Sequence, residues 1–259
     1  MPDWGKVQQM AEKLLQSEEI KNIYLIDNSG VETDFAVIKS LFSSKKIHYL
    51  WEHDLGWGAS HNIALRESVW QRTRYHLVMD TDIDAKAEDI DKLHYFMDKN
   101  PQVGLVMPRI VDGDGREVYE SKLLPTPLEI FLPVFISKKR QNRNELRQTG
   151  YKEIMNVPNL SGKFMFLRTD AALKARLLDE RYTKYAGPTD LTRTIHRQYL
   201  TLYVPDITVA DKSGGDSAKK KRTEYAINMT RYFNKWGLVF DSERKEMNRL
   251  TLQLCGEKR

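Results

Sequence analysis

The pattern of apolar and polar positions opens with a helix and then alternates. Val7, Met10, Leu14 and Leu15 recur at helical spacing within Val7 to Ser17, and Ile23 to Ile26 is a short apolar run closed by Asp27, Asn28, Ser29 and Gly30. Lys46 to Trp51 reads as a second strand, Ala59 to Thr73 as a helix, and Tyr75 to Met79 as a third strand ending in Asp80-Thr81-Asp82. Ala87 to Lys99 predicts an amphipathic helix and Val103 to Met107 a buried strand. Strand and helix therefore alternate through residues 1–110 as in a parallel, doubly wound sheet with a nucleotide-binding edge.

Beyond Asp112 the pattern changes. Asp112 to Gly115 is a turn, Leu124 to Pro133 carries three prolines in a surface excursion, and Ser137 to Arg147, rich in Lys and Arg, reads as a mobile basic loop. Phe164 to Leu167 and Leu202 to Val204 are further strands, with a helical stretch from Asp190 to Gln198 between them. Tyr225, Met229, Tyr232, Phe233 and Trp236 mark an aromatic helix interrupted at Gly237, and Ser242 to Leu254 predicts a last helix. There is no internal repeat.

Composition narrows the class. The 259 residues suit one α/β domain, residues 1–215, with a nucleotide-binding half at 1–110, a second half at 111–215 and a helical extension at 216–259. With 41% hydrophobic and 30% charged residues the chain has the balance of a folded globular protein. The net charge of +5 suits nucleic acid, anionic lipid or a nucleotide diphosphate. Lys219-Lys220-Lys221-Arg222 is a short run with no DNA or RNA motif beside it, so no nucleic-acid partner is expected. Cys255 is the single cysteine, which excludes an internal disulfide framework and fits a reducing compartment. No apolar run nears the ~20 residues that span a bilayer, and no signal-peptide pattern opens the chain. A cytoplasmic protein, at the inner face of the membrane, is the expectation.

The chemistry-bearing residues cluster at strand ends. Asp80 and Asp82 stand two apart at the end of an apolar strand, where open α/β sheets bind ligands. Mg2+ or Mn2+ on a diphosphate needs hard oxygen ligands of this kind, one or two from protein. Asp-x-Asp is also frequent by chance, so context decides.

That context is a resemblance to family 2 glycosyltransferases in five segments, in order along most of the chain. Ile23 to Ser29 resembles the strand ending in Val-Asp-Asn-x-Ser. Gly56-Trp57-Gly58-Ala59-Ser60-His61-Asn62 is similar to the Gly-Phe-Gly-x-x-x-Asn element, and Leu77 to Asp82 to the Asp-x-Asp strand. Arg109 to Pro127 resembles the rhamnosyltransferase-like branch. Leu160 to Arg168, followed by Leu178-Asp179-Glu180-Arg181-Tyr182, is similar to the acceptor-side strand and its Phe-Asp-Glu-x-Phe motif.

The resemblance implies a GT-A fold, a mainly parallel central sheet flanked by helices with a C-terminal helical extension. It also implies inverting transfer of a sugar, rhamnose for this branch, from a UDP- or dTDP-linked donor to a saccharide or lipid-linked acceptor in bacterial surface polysaccharide synthesis. Asp27, Asn28, Gly56, Gly58, Asn62 and Asp80 are implied to surround the nucleotide and Asp82 to hold the metal. Gly162, Arg168, Asp179, Glu180 and Arg193 are implied on the acceptor side.

Three departures stand against it. Gly187 and Pro188 occupy the positions of the implied Glu and Asp, the latter the base, ahead of the matching Asp190, Leu191 and Arg193. Ala210 replaces an implied histidine, and the implied first strand would precede Met1. Asp190 therefore has two readings, a substitute base and an N-cap of the helix that follows. The alternative for the whole chain is a relative that binds nucleotide sugar without efficient transfer. The aromatic and basic residues from Arg231 to Arg244 likewise fit either an interfacial helix on anionic membrane or a helix packed on the core.

Overall fold

The computed structural model describes residues 3–29, 31–53, 55–213 and 222–255. The chain begins α1 (Trp4–Leu14), β1 (Ile23–Asp27), α2 (Phe35–Leu41), β2 (Ile47–Trp51), α3 (Trp57–Trp70), β3 (Tyr75–Met79), β4 (Ile83–Asp84) and α4 (Ala87–Lys99). It continues with β5 (Val103–Val111), β6 (Ser121–Lys122), α5 (Pro127–Phe131), α6 (Lys138–Asn144), β7 (Met155–Asn156) and β8 (Asn159–Leu160). Then follow β9 (Phe164–Arg168), α7 (Thr169–Lys174), α8 (Ala186–His196), β10 (Leu200–Asp211), α9 (Arg222–Trp236) and α10 (Ser242–Leu254).

The main sheet has the order β3-β9-β5-β10-β4, with β7 also on β10, while β1 and β2 form a separate parallel pair. The sheet is mixed where a mainly parallel one was expected. Only β5 and β10 run parallel; β9 is antiparallel to both β3 and β5, and β4 and β7 are antiparallel to β10. The reason lies in where β9 starts. Asp80 N donates to Lys163 O (2.9 Å), so β9 begins beside the C-terminal end of β3 and must run back along it.

β5 and β9 supply the centre of the core. Val103, Leu105, Val106, Phe164, Met165 and Leu167 are all fully buried, which is why these strands read as continuous apolar runs instead of alternating ones. β10 is longer than its apolar run. It passes through Pro205 by a break in register between Val204 and Thr208, which spares the ladder a missing donor.

Two further expectations change. Residues 138–144 form α6 in place of a loop, capped by Ser137, whose Oγ accepts from Arg140 N (3.3 Å), and fastened by the fully buried Leu146 just beyond. The C-terminal aromatics face inward: Met229, Tyr232 and Phe233 pack on Tyr182 and Ala186, so α9 takes the core-packed reading. Leu238 and Phe240, in the turn after Gly237, remain exposed. Lys219 to Lys221 and Gly30 lie outside the described residues, of which no helix is long and apolar enough to cross a membrane.

Candidate functional site

β3 ends at the C-terminal edge of the sheet in Asp80-Thr81-Asp82, and two backbone bonds fix this turn. One is the Asp80 link to Lys163 already described; the other runs from Lys212 N to Asp82 O (2.8 Å), so the ends of β3 and β10 and the start of β9 meet here. Lys163 Nζ stands among carboxylates, 2.6 Å from Asp211 Oδ2 and 3.3 Å from Glu120 Oε1. Neither Asp80 nor Asp82 has a side-chain hydrogen bond or ion pair among the described residues.

The electrostatics follow from this crowding. Asp80 keeps solvent-facing surface but is set among protein atoms, and desolvation pushes its carboxyl up to about 6; Lys163 opposes the shift while Asp82, Asp211 and Glu120 add to it. Burial also works to raise Asp211, yet the hydrogen bonds from Lys163 and Ser213 outweigh it and hold it below the ordinary value. Lys163 is raised: burial disfavours its charge, and Asp211 and Glu120 more than compensate. Glu120, Lys163 and Asp211 had been given no role from sequence. Glu120 lies just before β6, Lys163 just before β9 and Asp211 at the end of β10, with no shared sequence pattern, so their meeting depends on strand order.

Asp80 and Asp82 offer the hard oxygen donors that Mg2+ or Mn2+ takes. No group of three or more His, Cys, Asp or Glu among the described residues is arranged to hold a metal ion. Two carboxylates are the number that such a cation takes from protein when a diphosphate supplies further ligands.

Asp27, at the end of β1, is buried and accepts from Ser29 N (3.0 Å), Tyr49 OH (2.9 Å) and Thr33 Oγ1 (3.3 Å). Burial would raise its carboxyl, but these bonds win and lower it. The Asn28 amide pairs with the backbone of Leu55, accepting from Leu55 N (2.8 Å) and donating to Leu55 O, and so holds the loop before α3.

Gly56, Gly58 and Asn62 meet the 178–183 segment. A Cβ at Gly56 would lie 2.8 Å from Thr183 Cα and one at Gly58 2.9 Å from Asp179 O, while Trp57 N donates to Thr183 O (2.7 Å). Asn62 exchanges hydrogen bonds with the Leu178 backbone (2.8 and 3.0 Å) and donates to Glu180 Oε1 (3.0 Å). The order Gly-Trp-Gly-x-x-x-Asn thus lets one helix start lie directly on a neighbouring backbone.

On the acceptor side the residues separate. Gly162 faces the first turn of α8, where a Cβ would stand 2.5 Å from Pro188 Cγ and 3.1 Å from Trp57 Cζ2. Asp179 is paired with Arg181 (2.6 Å) and Lys235 (3.0 Å), and Glu180 with Arg66. Arg168 is at the opposite end of the sheet. The antiparallel register sets it against Tyr75, where its guanidinium donates to the carbonyls of Val103, Met97 and Asn100 (2.9, 2.8 and 3.1 Å), a contact that ties strand starts together away from Asp80 and Asp82.

Asp190 lies inside α8, which starts at Ala186, so it is not the N-cap. Its carboxylate accepts from Lys235 Nζ (2.7 Å), Trp236 Nε1 (2.6 Å) and Tyr182 OH (3.3 Å). Arg193, one turn on, is fully buried. It pairs with Asp241 through two bonds of 2.7 Å and with Glu243 (3.0 Å), and its guanidinium lies 4.1 Å from the Trp236 ring. Both residues fasten α8 to the C-terminal helices.

No family model matches the chain, and no curated protein matches it. Among solved structures, the mannosyltransferase PcManGT from Pyrobaculum calidifontis, in complex with GDP-Man and Mn2+, is similar with a TM-score of 0.59 and 12% identity, over 90% of this chain and 60% of its own. GalNAc-T7 with UDP, GalNAc and Mn2+ is similar with a TM-score of 0.59 and 13% identity, over 90% of this chain and 46% of its own. The chain therefore spans less than two thirds of either structure. At these identities the shared property is the fold, an α/β fold of the GT-A type.

Proposed function

We propose that the chain is a nucleotide-sugar-dependent glycosyltransferase. The observation that carries the reading is the placement of Asp80 and Asp82 at the C-terminal edge of β3, beside the Lys163 cluster, with neither carboxylate engaged in a side-chain hydrogen bond or ion pair among the described residues. Neighbours of the same fold carry GDP-Man or UDP with Mn2+ in their solved complexes. In this reading Asp82, with Asp80, holds Mg2+ or Mn2+, which when bound offsets charge on the departing diphosphate. Asp27 takes the base of a UDP- or dTDP-linked donor, while Asn28, Gly56, Gly58 and Asn62 shape the wall beside it. Gly162, Asp179 and Glu180 border the acceptor, a saccharide or lipid-linked one. Rhamnose as the sugar, inversion as the stereochemistry, surface polysaccharide as the product and the inner membrane face as the place all belong to the same proposal. So does the division into donor half, acceptor half and helical extension.

A second reading, binding without efficient transfer, is favoured by the first turn of α8. Gly187 and Pro188 have no proton acceptor, and the Asp190 oxygens are already taken by Lys235 and Trp236. A radiolabel transfer assay over a panel of nucleotide sugars, run beside calorimetry with UDP and dTDP plus Mn2+, decides. Turnover supports the first reading and binding without turnover the second; absence of both sinks the two together.

A further inference from the structure

The segment from Leu128 to Arg143 leaves large apolar side chains in solvent and sets cations directly behind them. Leu128, Phe131, Leu132, Val134 and Phe135 are all exposed, Val134 at 85% and Phe135 at 73%. Five such side chains within eight residues form a patch large enough to mark an interaction surface. Lys138 and Lys139 follow and are exposed, Arg140 and Arg143 come next on α6, and Glu129 is the one acid between Ser121 and Asn144.

This exposure is built into the fold. Thr126 and Glu129 cap α5 reciprocally: Thr126 Oγ1 accepts from Glu129 N (3.4 Å), and Glu129 Oε2 accepts from Thr126 N (2.9 Å). Arg140 Nε donates to Glu129 Oε1 (2.9 Å), which ties α6 to α5 and neutralises the acid. Between the two helices the chain makes one tight turn, with Phe135 N donating to Leu132 O (3.1 Å) and Ile136 N to Pro133 O (3.0 Å). α5 is anchored through Ile130, which packs on the Tyr232 cluster, and through Phe131, whose ring centroid lies 5.8 Å from that of Phe233. Val134 and Phe135 lie beyond that anchor, in the turn. Leu238, Val239 and Phe240, also exposed, follow the end of α9, where Gly237 N donates to Phe233 O (2.8 Å). Both apolar segments are therefore attached within about a turn of each other on α9.

We propose that this face docks on the surface of an anionic lipid bilayer. Leu132, Val134 and Phe135 enter the boundary between headgroups and acyl chains, and Lys138 and Lys139 lie against the lipid phosphates. An apolar turn followed at once by paired cations matches the two layers of such a surface. Exposed apolar residues elsewhere lack that match, since Val31 and Phe35 stand beside Glu32 and Asp34. The five side chains expose on the order of a few hundred Å², short of the ~800 Å² that one partner buries in a stable protein interface. The inference shares the membrane face with the transferase reading but rests on the exposed segment alone.

Co-sedimentation of the full chain with vesicles tests it, phosphatidylcholine alone against phosphatidylcholine mixed with phosphatidylglycerol. The expected result is binding at least ~10-fold tighter to the anionic vesicles, weakening as salt is added. Val134→Ser with Phe135→Ser should lower that affinity ~10-fold or more and leave the melting temperature unchanged, because both side chains are exposed and leave no cavity behind. Lys138→Gln with Lys139→Gln should lower it by a similar factor, whereas Phe35→Ser should leave it as it was. No pelleting, equal pelleting with both vesicle types, or full binding by the Val134 and Phe135 variant would each overturn the proposal. So would a dimer in vesicle-free sedimentation that the same variant disperses, which would assign the face to a second copy. No nucleotide sugar enters any arm, so failure here leaves the transferase reading standing, and absence of transfer leaves this inference standing.

Discussion

Trp57 and Gly187 share one space: a Cβ at Gly187 would lie 2.9 Å from Trp57 Cε3 and 3.1 Å from Cζ3. Gly162 meets the same six-membered ring from another side, at Cζ2. Writing Glu and Asp at positions 187 and 188, as the resemblance suggests, therefore cannot succeed alone. Gly187→Glu with Pro188→Asp should cost about 1–3 kcal/mol of stability by overpacking. Adding Trp57→Phe, which removes the outer indole atoms, should restore that stability and raise glycosyl transfer by ~10² through the added base. Melting curves and transfer rates of the double and triple variants check this; a triple variant that binds donor yet transfers no faster would overturn the account.

Asp82 is exposed at the sheet edge, and its carboxylate makes no hydrogen bond or ion pair among the described residues. Asp82→Ala should leave the melting temperature unchanged and weaken Mn2+-dependent UDP or dTDP binding by at least ~10-fold, the lower bound for disturbing even an outer metal partner. Calorimetry with and without Mn2+ measures it. Equal affinities for both proteins would remove Asp82 from the site.

Arg193 and Asp241 are both buried, with side-chain exposures of 1% and 2%. Truncating Arg193 leaves Asp241 with Arg244 (3.9 Å) as its remaining cation, so Arg193→Met should cost about 3 kcal/mol; because Asp241 also caps α10 by accepting from Arg244 N (2.8 Å), Arg193→Met with Asp241→Asn, which keeps the cap, should recover part of the loss. Urea unfolding of the single and double variants tests it. A double variant no more stable than the single would contradict the pairing.

Stability should fall as the medium is acidified from pH 7 to pH 5. Burial lowers His61, His76 and His196 to about 4 from an ordinary 6.5, so between those values the unfolded chain binds more protons than the folded one. Asp80, raised to about 6, works in the opposite sense but is one group against three. Urea midpoints at the two pH values read the difference, and His196→Gln should remove roughly a third of it. A midpoint that rises on acidification would show that the histidines are not held neutral.

Much of the fold follows from local pattern. The run Tyr75 to Met79 coincides with β3, Ala87 to Lys99 with α4 and Ser242 to Leu254 with α10, because apolar spacing and turn residues are properties of neighbouring positions. The Asp80-Thr81-Asp82 turn was legible for the same reason: it closes an apolar strand. Gly56 and Gly58 were legible as a pattern, but their partner, the 178–183 backbone, was not.

What only the tertiary structure decided is pairing between distant segments. β9 lies between β3 and β5 because it starts at Lys163 beside Asp80, and that antiparallel return carries Arg168 to the end of the sheet away from Asp80 and Asp82. Glu120, Lys163 and Asp211 became one cluster through the same strand order, and α9 engaged Asp190 by bringing Lys235 and Trp236 to it. Among the described residues β1 pairs only with β2 and β3 only with β9, a fact of the same kind. A sequence states which residues can form a strand, since that depends on neighbours a few positions away; whether both edges of the strand are paired depends on what else reaches it in space.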